Sequence, residues 1–305
     1  MTAPEQGAGE AREPGEAMRS AMVGLIAETN VHVGIGQAIG ALDLPVARER
    51  ITDYPFVPGS GVKGAWRVWA EERAGLSREC CDDLFGPKSQ SSADGGDEKG
   101  AGTVLMSDAR LLLLPVRCLS SSYKWVTCPL ILDRLRRDAA RGGRREVTFE
   151  LPVVEEGGYL GAGGDKEVVG LEEREFTREA KVQPGVLEAL VSVIPGAIRK
   201  DRLEARLVVL SDHDFVWFAR YALPVMARNA LDENKIVKEG AFWYEESLPP
   251  DTVMYLLLGQ RRPGKVAALA GVIAEDKAYL QMGGNETIGQ GWFKMAVVGA
   301  READQ

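Results

Sequence analysis

Large apolar residues reach this chain in short bursts, and the length of those bursts limits what it can fold into. Ala21–Thr29 (AMVGLIAET), Gly102–Asp108, Ala109–Val116, Leu203–Leu210, Thr252–Leu258 and Trp292–Val298 each have the length of one buried strand. None approaches the ~20 continuous apolar residues that a membrane-spanning helix requires. Between them lie segments with helical spacing. Gly61–Arg73 carries Val62, Ala65, Trp66 and Trp69 at three- and four-residue intervals, and Pro58-Gly59-Ser60 before it supplies a turn and an N-cap. Thr127–Arg141, Gly185–Val193, a helix capped by Asp212 and running to Tyr221, and Lys265–Gln281 read the same way. Glu146–Pro152 alternates as a strand, Tyr159–Gly164 is a glycine turn, and Leu223–Leu231 with Gly240–Leu248 predict a projecting hairpin at about 223–250. Strands mixed with helices, and no internal repeat, predict an α+β fold with long inserted loops.

Three stretches fall outside that pattern. Residues 1–20, acidic and rich in Gly and Pro, are expected to be a disordered tail, leaving 21–305 as one domain. Pro87–Gly100 is expected to be a flexible surface loop. A third, Asn30–Pro58, is punctuated by Gly and Pro without a sustained period; loops this long inside a domain are commonly functional. Four cysteines, two of them adjacent, and an N-terminus lacking an apolar core point to a reducing, cytoplasmic setting.

The chemistry is narrowed first by what is missing. There is no Walker A sequence, dinucleotide fingerprint, HExxH or CxxC pair, and only 2 histidines, His32 and His213, so a histidine-rich zinc site is disfavoured. The net charge of −8 argues mildly against nucleic acid, although a groove on an acidic protein can still be basic. Within the long loop, His32 and Asp43 sit on Gly-bordered backbone, and Arg48, Arg50, Lys63 and Arg67 follow closely. That is a candidate polyanion surface, against the plainer reading of a structural histidine and a turn-capping Asp43. The glycine loop GGNETIGQG (Gly283–Gly291) could converge backbone N–H groups on an anion, or simply turn the chain. Phe242-Trp243-Tyr244 could stack on bases or pack a core. Glu245 and Glu246 could hold a divalent ion with Asp43, or be solvated. Arg134–Arg145, with six Arg against one Asp, extends a groove or is a solvated loop.

Taken in order, HVGIG, LDLPVARER, PFVPGSGVKGAWR, LFG (Leu84–Gly86), SDARLLLLPVR (Ser107–Arg117), YKWVTCP (Tyr123–Pro129), GAFWYEESLPPDT (Gly240–Thr252) and GGNETIGQGW (Gly283–Trp292) resemble one family. It is the backbone RNase subunit of type III-B (Cmr) CRISPR effector complexes, in the RAMP superfamily, and the likeness runs from about Met22 to Val298. The type III-A (Csm) backbone subunit shares the loop Asp and the glycine loop; the WVTCP and WYEE-LPP segments favour Cmr. The resemblance implies an RRM/ferredoxin-like palm with a β-hairpin thumb. It also implies copies stacked along CRISPR RNA with other Cmr subunits, cutting guide-paired single-stranded target RNA at regular intervals. The alternative is an inert guide-binding scaffold. By the same resemblance Asp43 binds Mg²⁺ or Mn²⁺, in preference to taking the 2′-hydroxyl proton, and His32 acts on the leaving 5′-oxygen. Glu245, or Glu246 in another register, and Tyr244 assist. CRISPR RNA is expected on Arg48, Arg50, Ser60, Lys63, Arg67, Gly283, Gly284, Thr287, Gly289 and Gly291.

Overall fold

The computed structural model describes residues 20–36, 42–87, 101–142, 144, 147–164, 166–196, 198–274 and 278–298. The expected tail (apart from Ser20) and most of the expected loop at 87–100 lie outside these residues. In chain order the elements are β1 (Ser20–Ala27), β2 (Phe56–Val57), α1 (Gly59–Glu72), α2 (Arg78–Phe85), β3 (Val104–Met106), β4 (Ala109–Cys118) and β5 (Ser121–Thr127). There follow α3 (Pro129–Arg141), β6 (Gly158–Gly161), β7 (Val168–Leu171), β8 (Arg174–Lys181), α4 (Pro184–Val193), α5 (Lys200–Glu204), β9 (Leu207–Leu210) and α6 (Asp212–Tyr221). Then come β10 (Val225–Leu231), β11 (Val237–Glu246), β12 (Val253–Gln260), α7 (Lys265–Ala274), β13 (Tyr279–Gln281) and β14 (Trp292–Val298).

The mixed α/β architecture rests on two strands that do double duty. β1 is buried from Ala21 to Ala27 and pairs antiparallel with β12 and β14, which is why its sequence is a continuous apolar run without alternation. Helix α4 covers it through Gly24, where any side chain would run into the carbonyl of Val193. β4 is long enough to serve two halves of one sheet. Its first half pairs with β2 and β12, its second with β5, and Cys118 at its end bridges to Leu171 of β7. The order β4-β5-β9-β6-β8-β7 thereby returns to β4. Trp66, Trp125, Tyr159, Phe176, Phe215, Phe218, Tyr255 and Phe293 fill the core.

Strands β10 and β11 form a separate two-stranded sheet, the hairpin expected at 223–250. Val225, Met226, Leu231, Ile236, Val237, Phe242 and Tyr244 are exposed on it. A lone two-stranded hairpin is marginal in water, so it depends on how its root is held.

Several local expectations need correction. Helix α1 starts at Gly59, so Ser60 lies in its first turn, and the Asp108 carboxylate accepts the Gly59 N–H at 2.7 Å. Ser211, not Asp212, caps α6, its Oγ accepting the Asp214 N–H. Residues 147–152 join no ladder: Val147, Phe149 and Leu151 lean on the core, and alternation reports which side is buried, not whether a strand partner exists. The supposed turn at Tyr159–Gly164 begins as buried strand β6, which Gly158 lets lie beneath Glu179. Helix α7 stops at Ala274, and Leu280 belongs to β13. The basic stretch runs along α3 as far as Arg141, with Arg134 on Glu49, Arg136 and Arg137 on Asp133, and Arg141 on Asp138.

Candidate active site

Four segments meet at the root of the hairpin: Val31–Gly34, Leu42–Arg48, Tyr244–Leu248 and Met282–Gly291. Val31 exchanges backbone hydrogen bonds with Leu248, which fixes the end of β1 to the outgoing limb of the hairpin. The middle of the long loop returns alongside: the Leu44 N–H donates to the Tyr244 carbonyl, the Glu246 N–H donates to the Leu44 carbonyl, and Ala47 donates to Val33. The glycine loop closes the group, with Gly284 donating to the His32 carbonyl and Gly291 to the Asn30 carbonyl. What reads in sequence as an unstructured loop is thus tied on both sides by backbone pairs.

His32 is buried, and its Nδ1 lies 2.7 Å from the Glu246 carbonyl oxygen. A carbonyl only accepts, so Nδ1 carries a proton and Nε2 is the nitrogen left for chemistry. Gly34 leaves room for that nitrogen; a Cβ there would stand 2.5 Å from Nε2. Asp43 is half-buried, and its Oδ2 accepts the Tyr244 backbone N–H at 2.8 Å. The other carboxylate oxygen of Asp43 remains for a ligand. Tyr244 therefore serves the site through its backbone, while its exposed ring packs edge-on against Phe242.

The two glutamates are buried and engaged. Glu245 Oε1 accepts from Asn285 Nδ2 at 2.5 Å and from Arg228 at 3.3 Å. Glu246 accepts the Val46 N–H at 3.0 Å and Arg48 at 2.6 Å. The expected gathering of Asp43, Glu245 and Glu246 around one ion is thus not seen, and among the described residues no three His, Cys, Asp or Glu side chains converge on a point. Asp43 stands as a single carboxylate. This suits Mg²⁺, which is commonly held by one or two carboxylates together with phosphates of the substrate. Asn285 and Arg228, the partners of Glu245, escaped the sequence reading; a left-handed φ of 63° at Asn285 was signalled only by its place after two glycines.

The RNA-contact candidates separate into two groups. Arg50, Ser60, Gly283, Gly284, Thr287 and Gly289 are exposed and Lys63 is half-buried, with no described acid paired to Arg50 or Lys63. Arg67 is different: its guanidinium is buried against Glu71, Asp82 and the Gly86 carbonyl, so it holds α1 to α2 and does not face a ligand. Arg48 likewise is tied to Glu246 and to the carbonyls of Asp53 and Ala219. The amides of Gly284, Gly289 and Gly291 donate to His32, Glu286 and Asn30 carbonyls, so these three cannot cradle an anion. The loop instead braces His32: a Cβ at Gly283, φ +92°, would lie 2.5 Å from the His32 carbonyl oxygen.

The RAMP superfamily model matches residues 25–294. The chain belongs to the RAMP superfamily. Its curated relatives place this RAMP chain with the Cmr4 subunits of CRISPR Cmr systems. The CRISPR system Cmr endoribonuclease Cmr4 of Pyrococcus furiosus is 30% identical over 290 residues, covering 92% of this chain and 96% of that protein. The CRISPR system CMR subunit Cmr4 of Saccharolobus solfataricus is 24% identical, covering 87% and 92%. Among solved structures, oligomeric Cmr4 from Pyrococcus furiosus superposes with a TM-score of 0.72 at 26% identity, over 92% of this chain and 98% of that one. A chain of the type III-B Cmr-beta complex bound to cognate target RNA superposes with a TM-score of 0.74 at 22% identity, over 93% and 98%, which shows a shared fold. The resemblance read from the motifs is the family found. No described helix of this RAMP chain is long and apolar enough to cross a membrane.

Proposed function

We propose that this chain is the backbone subunit of a type III-B CRISPR ribonucleoprotein, in which copies of it line CRISPR RNA and cut the paired target RNA. The observation that carries the reading is the hydrogen bond from the Tyr244 backbone to Asp43. It sets a carboxylate at the root of an exposed aromatic hairpin, beside a histidine with one committed nitrogen. In this reading the hairpin is the thumb of the family. Phe242 and Tyr244 on it offer apolar rings that can part stacked bases and relax the A-form geometry opposing in-line attack.

Cleavage by internal attack needs the 2′-oxygen in line with phosphorus, a proton delivered to the leaving 5′-oxygen, and negative charge stabilised between them. His32 in its imidazolium form gives the Nε2 proton to the leaving 5′-oxygen, while Nδ1–H stays on the Glu246 carbonyl, and the 2′-hydroxyl proton passes to water. Asp43 orients the reacting strand and holds the divalent cation, Mg²⁺ or Mn²⁺. That cation, when bound, screens charge on the phosphate. Lys63 and Arg50 contact guide phosphates, which are sequence-independent contacts suited to any guide.

The test uses the assembled particle carrying guide RNA. Asp43→Ala is expected to abolish cutting of matched RNA in Mg²⁺ while the particle still captures that RNA. Undiminished cutting by this variant rejects the assignment, and cutting that survives EDTA rejects the metal. If the wild-type particle binds target but never cuts, the scaffold reading prevails.

A further inference from the structure

One residue at the hairpin root spends every polar group it has on the site. Glu246 is 4% exposed. Its N–H donates to the Leu44 carbonyl, and its own carbonyl accepts from His32 Nδ1. Its Oε2 accepts the Val46 N–H, and its Oε1 accepts from Arg48 Nη2. The carbonyl bond thus fixes the histidine, and the other three bonds fix the segment Leu44–Arg48, which directly follows Asp43. Arg48 extends the chain of contacts. Its Nη1 donates to the carbonyls of Asp53, at 3.0 Å, and of Ala219 in the last turn of α6, where a cation is favoured by the outward-facing carbonyls.

We propose that the buried Glu246–Arg48 pair is a positioning device that sets the Asp43 carboxylate and the His32 imidazole at a fixed separation, using α6 as the anchor. The inference rests on the assignment of Asp43 and His32 above and adds to it. Neither Glu246 nor Arg48 touches substrate in this scheme; Arg48 is not an RNA contact. The backbone bonds Tyr244–Asp43 and Leu44–Tyr244 then register the loop against the hairpin, so a displacement of the hairpin by bound RNA is carried to both reacting groups together. A single hydrogen bond could not do this. The loop is irregular, and two of its anchoring bonds, to Val46 and to Arg48, end on one carboxylate.

The proposal is tested in the assembled, guide-loaded particle with Glu246→Gln, Arg48→Met, Arg48→Lys and Asp43→Ala. Cleavage rate at saturating target, target affinity and particle composition are read for each. Glu246→Gln and Arg48→Met are expected to slow the single-turnover rate by about 10- to 100-fold, as small misplacements of reacting groups do. Target affinity should stay within about twofold, because the lost interaction acts only on the chemical step. The double variant Glu246→Gln/Arg48→Met should be no slower than the slower single one. Arg48→Lys keeps the charge but not the planar fork and should recover part of the rate. It is also the decisive arm if Glu246→Gln particles fail to assemble. A saturating rate unchanged in Glu246→Gln or in Arg48→Met overturns the proposal. So does a loss confined to target affinity. Full activity in Asp43→Ala overturns the assignment of Asp43 itself, whatever Glu246→Gln does.

Discussion

At Gly34, one missing methyl group decides whether the imidazole of His32 can sit where it does. The space a Cβ would take is 2.5 Å from Nε2, the nitrogen left free once Nδ1 is given to Glu246. Gly34→Ala is therefore expected to push the ring off its position, and the cleavage rate of the particle should fall while guide RNA is retained. Gly64→Ala is the matched control, since nothing lies within 4 Å of a Cβ there and alanine favours a helix interior. Equal cutting by the two variants would show that the Nε2 position is immaterial. The sequence HVGIG did announce backbone that something must approach closely. It could not announce that the approaching group is the neighbouring imidazole, because that depends on a carbonyl more than two hundred positions away. Asp43 and His32 were picked out by their motif, whereas the backbone groups that aim them, the Tyr244 N–H and the Glu246 carbonyl, come from a distant segment whose contacts no local pattern records.

The helix α1 shows how an element sorts residues that a charge count treats alike. Lys63 and Arg67 lie one turn apart, yet Arg67 faces α2 and is bonded to Asp82, while Lys63 stays half-exposed with no described acid beside it. Arg67→Ala should destabilise the fold by about 2–3 kcal/mol, below the usual value for breaking a buried pair because Asp82 keeps some contact with water. Thermal unfolding measures it, and a melting temperature equal to wild type would contradict the buried role. Lys63→Glu should leave unfolding unchanged but weaken guide binding and lower its salt slope by about 1. The amphipathic spacing of α1 was plain from Val62, Trp66 and Trp69. The fate of Arg67 was not, because α2 (RECCDDLF) has 8 residues, too few for Cys81, Leu84 and Phe85 to establish a period. For the same reason β8 (REFTREAK), with Phe176 as its single buried residue, escaped notice. Elements that carry the core announce themselves by period; elements stabilised by pairing alone do not.

Across the whole molecule, the phenols of Tyr54, Tyr123 and Tyr255 are built into different parts of one continuous core. Tyr54, in the long loop, packs edge-on against Phe215 of α6 and shares a hydrogen bond with the Cys128 thiol. Tyr123 on β5 packs against Trp125 and accepts from Arg202. Tyr255 on β12 donates to Asp138 at 2.9 Å. Burial is the main reason all three ionise late: Tyr54 and Tyr255 are raised well above the ordinary range, and Tyr123 is pushed up to about 12. In the unfolded chain each phenol loses its proton near ~10. Their contribution to stability is therefore complete below about pH 10 and declines as pH rises from there, the share of Tyr123 being gone by about pH 12. The molecule should accordingly unfold in alkali as a unit, with the loss of circular dichroism accompanying the tyrosinate absorbance of the buried phenols. Tyr123→Phe should flatten the decline of stability across that window, since it removes one titrating group but leaves the ring against Trp125. Tyrosinate absorbance from all three phenols near pH 10 in a protein that keeps its dichroism would mean that these rings are not enclosed as described. The loop that carries Asp43 would then lose its footing on α6, because Tyr54 and Arg48 reach that helix from the same stretch of chain.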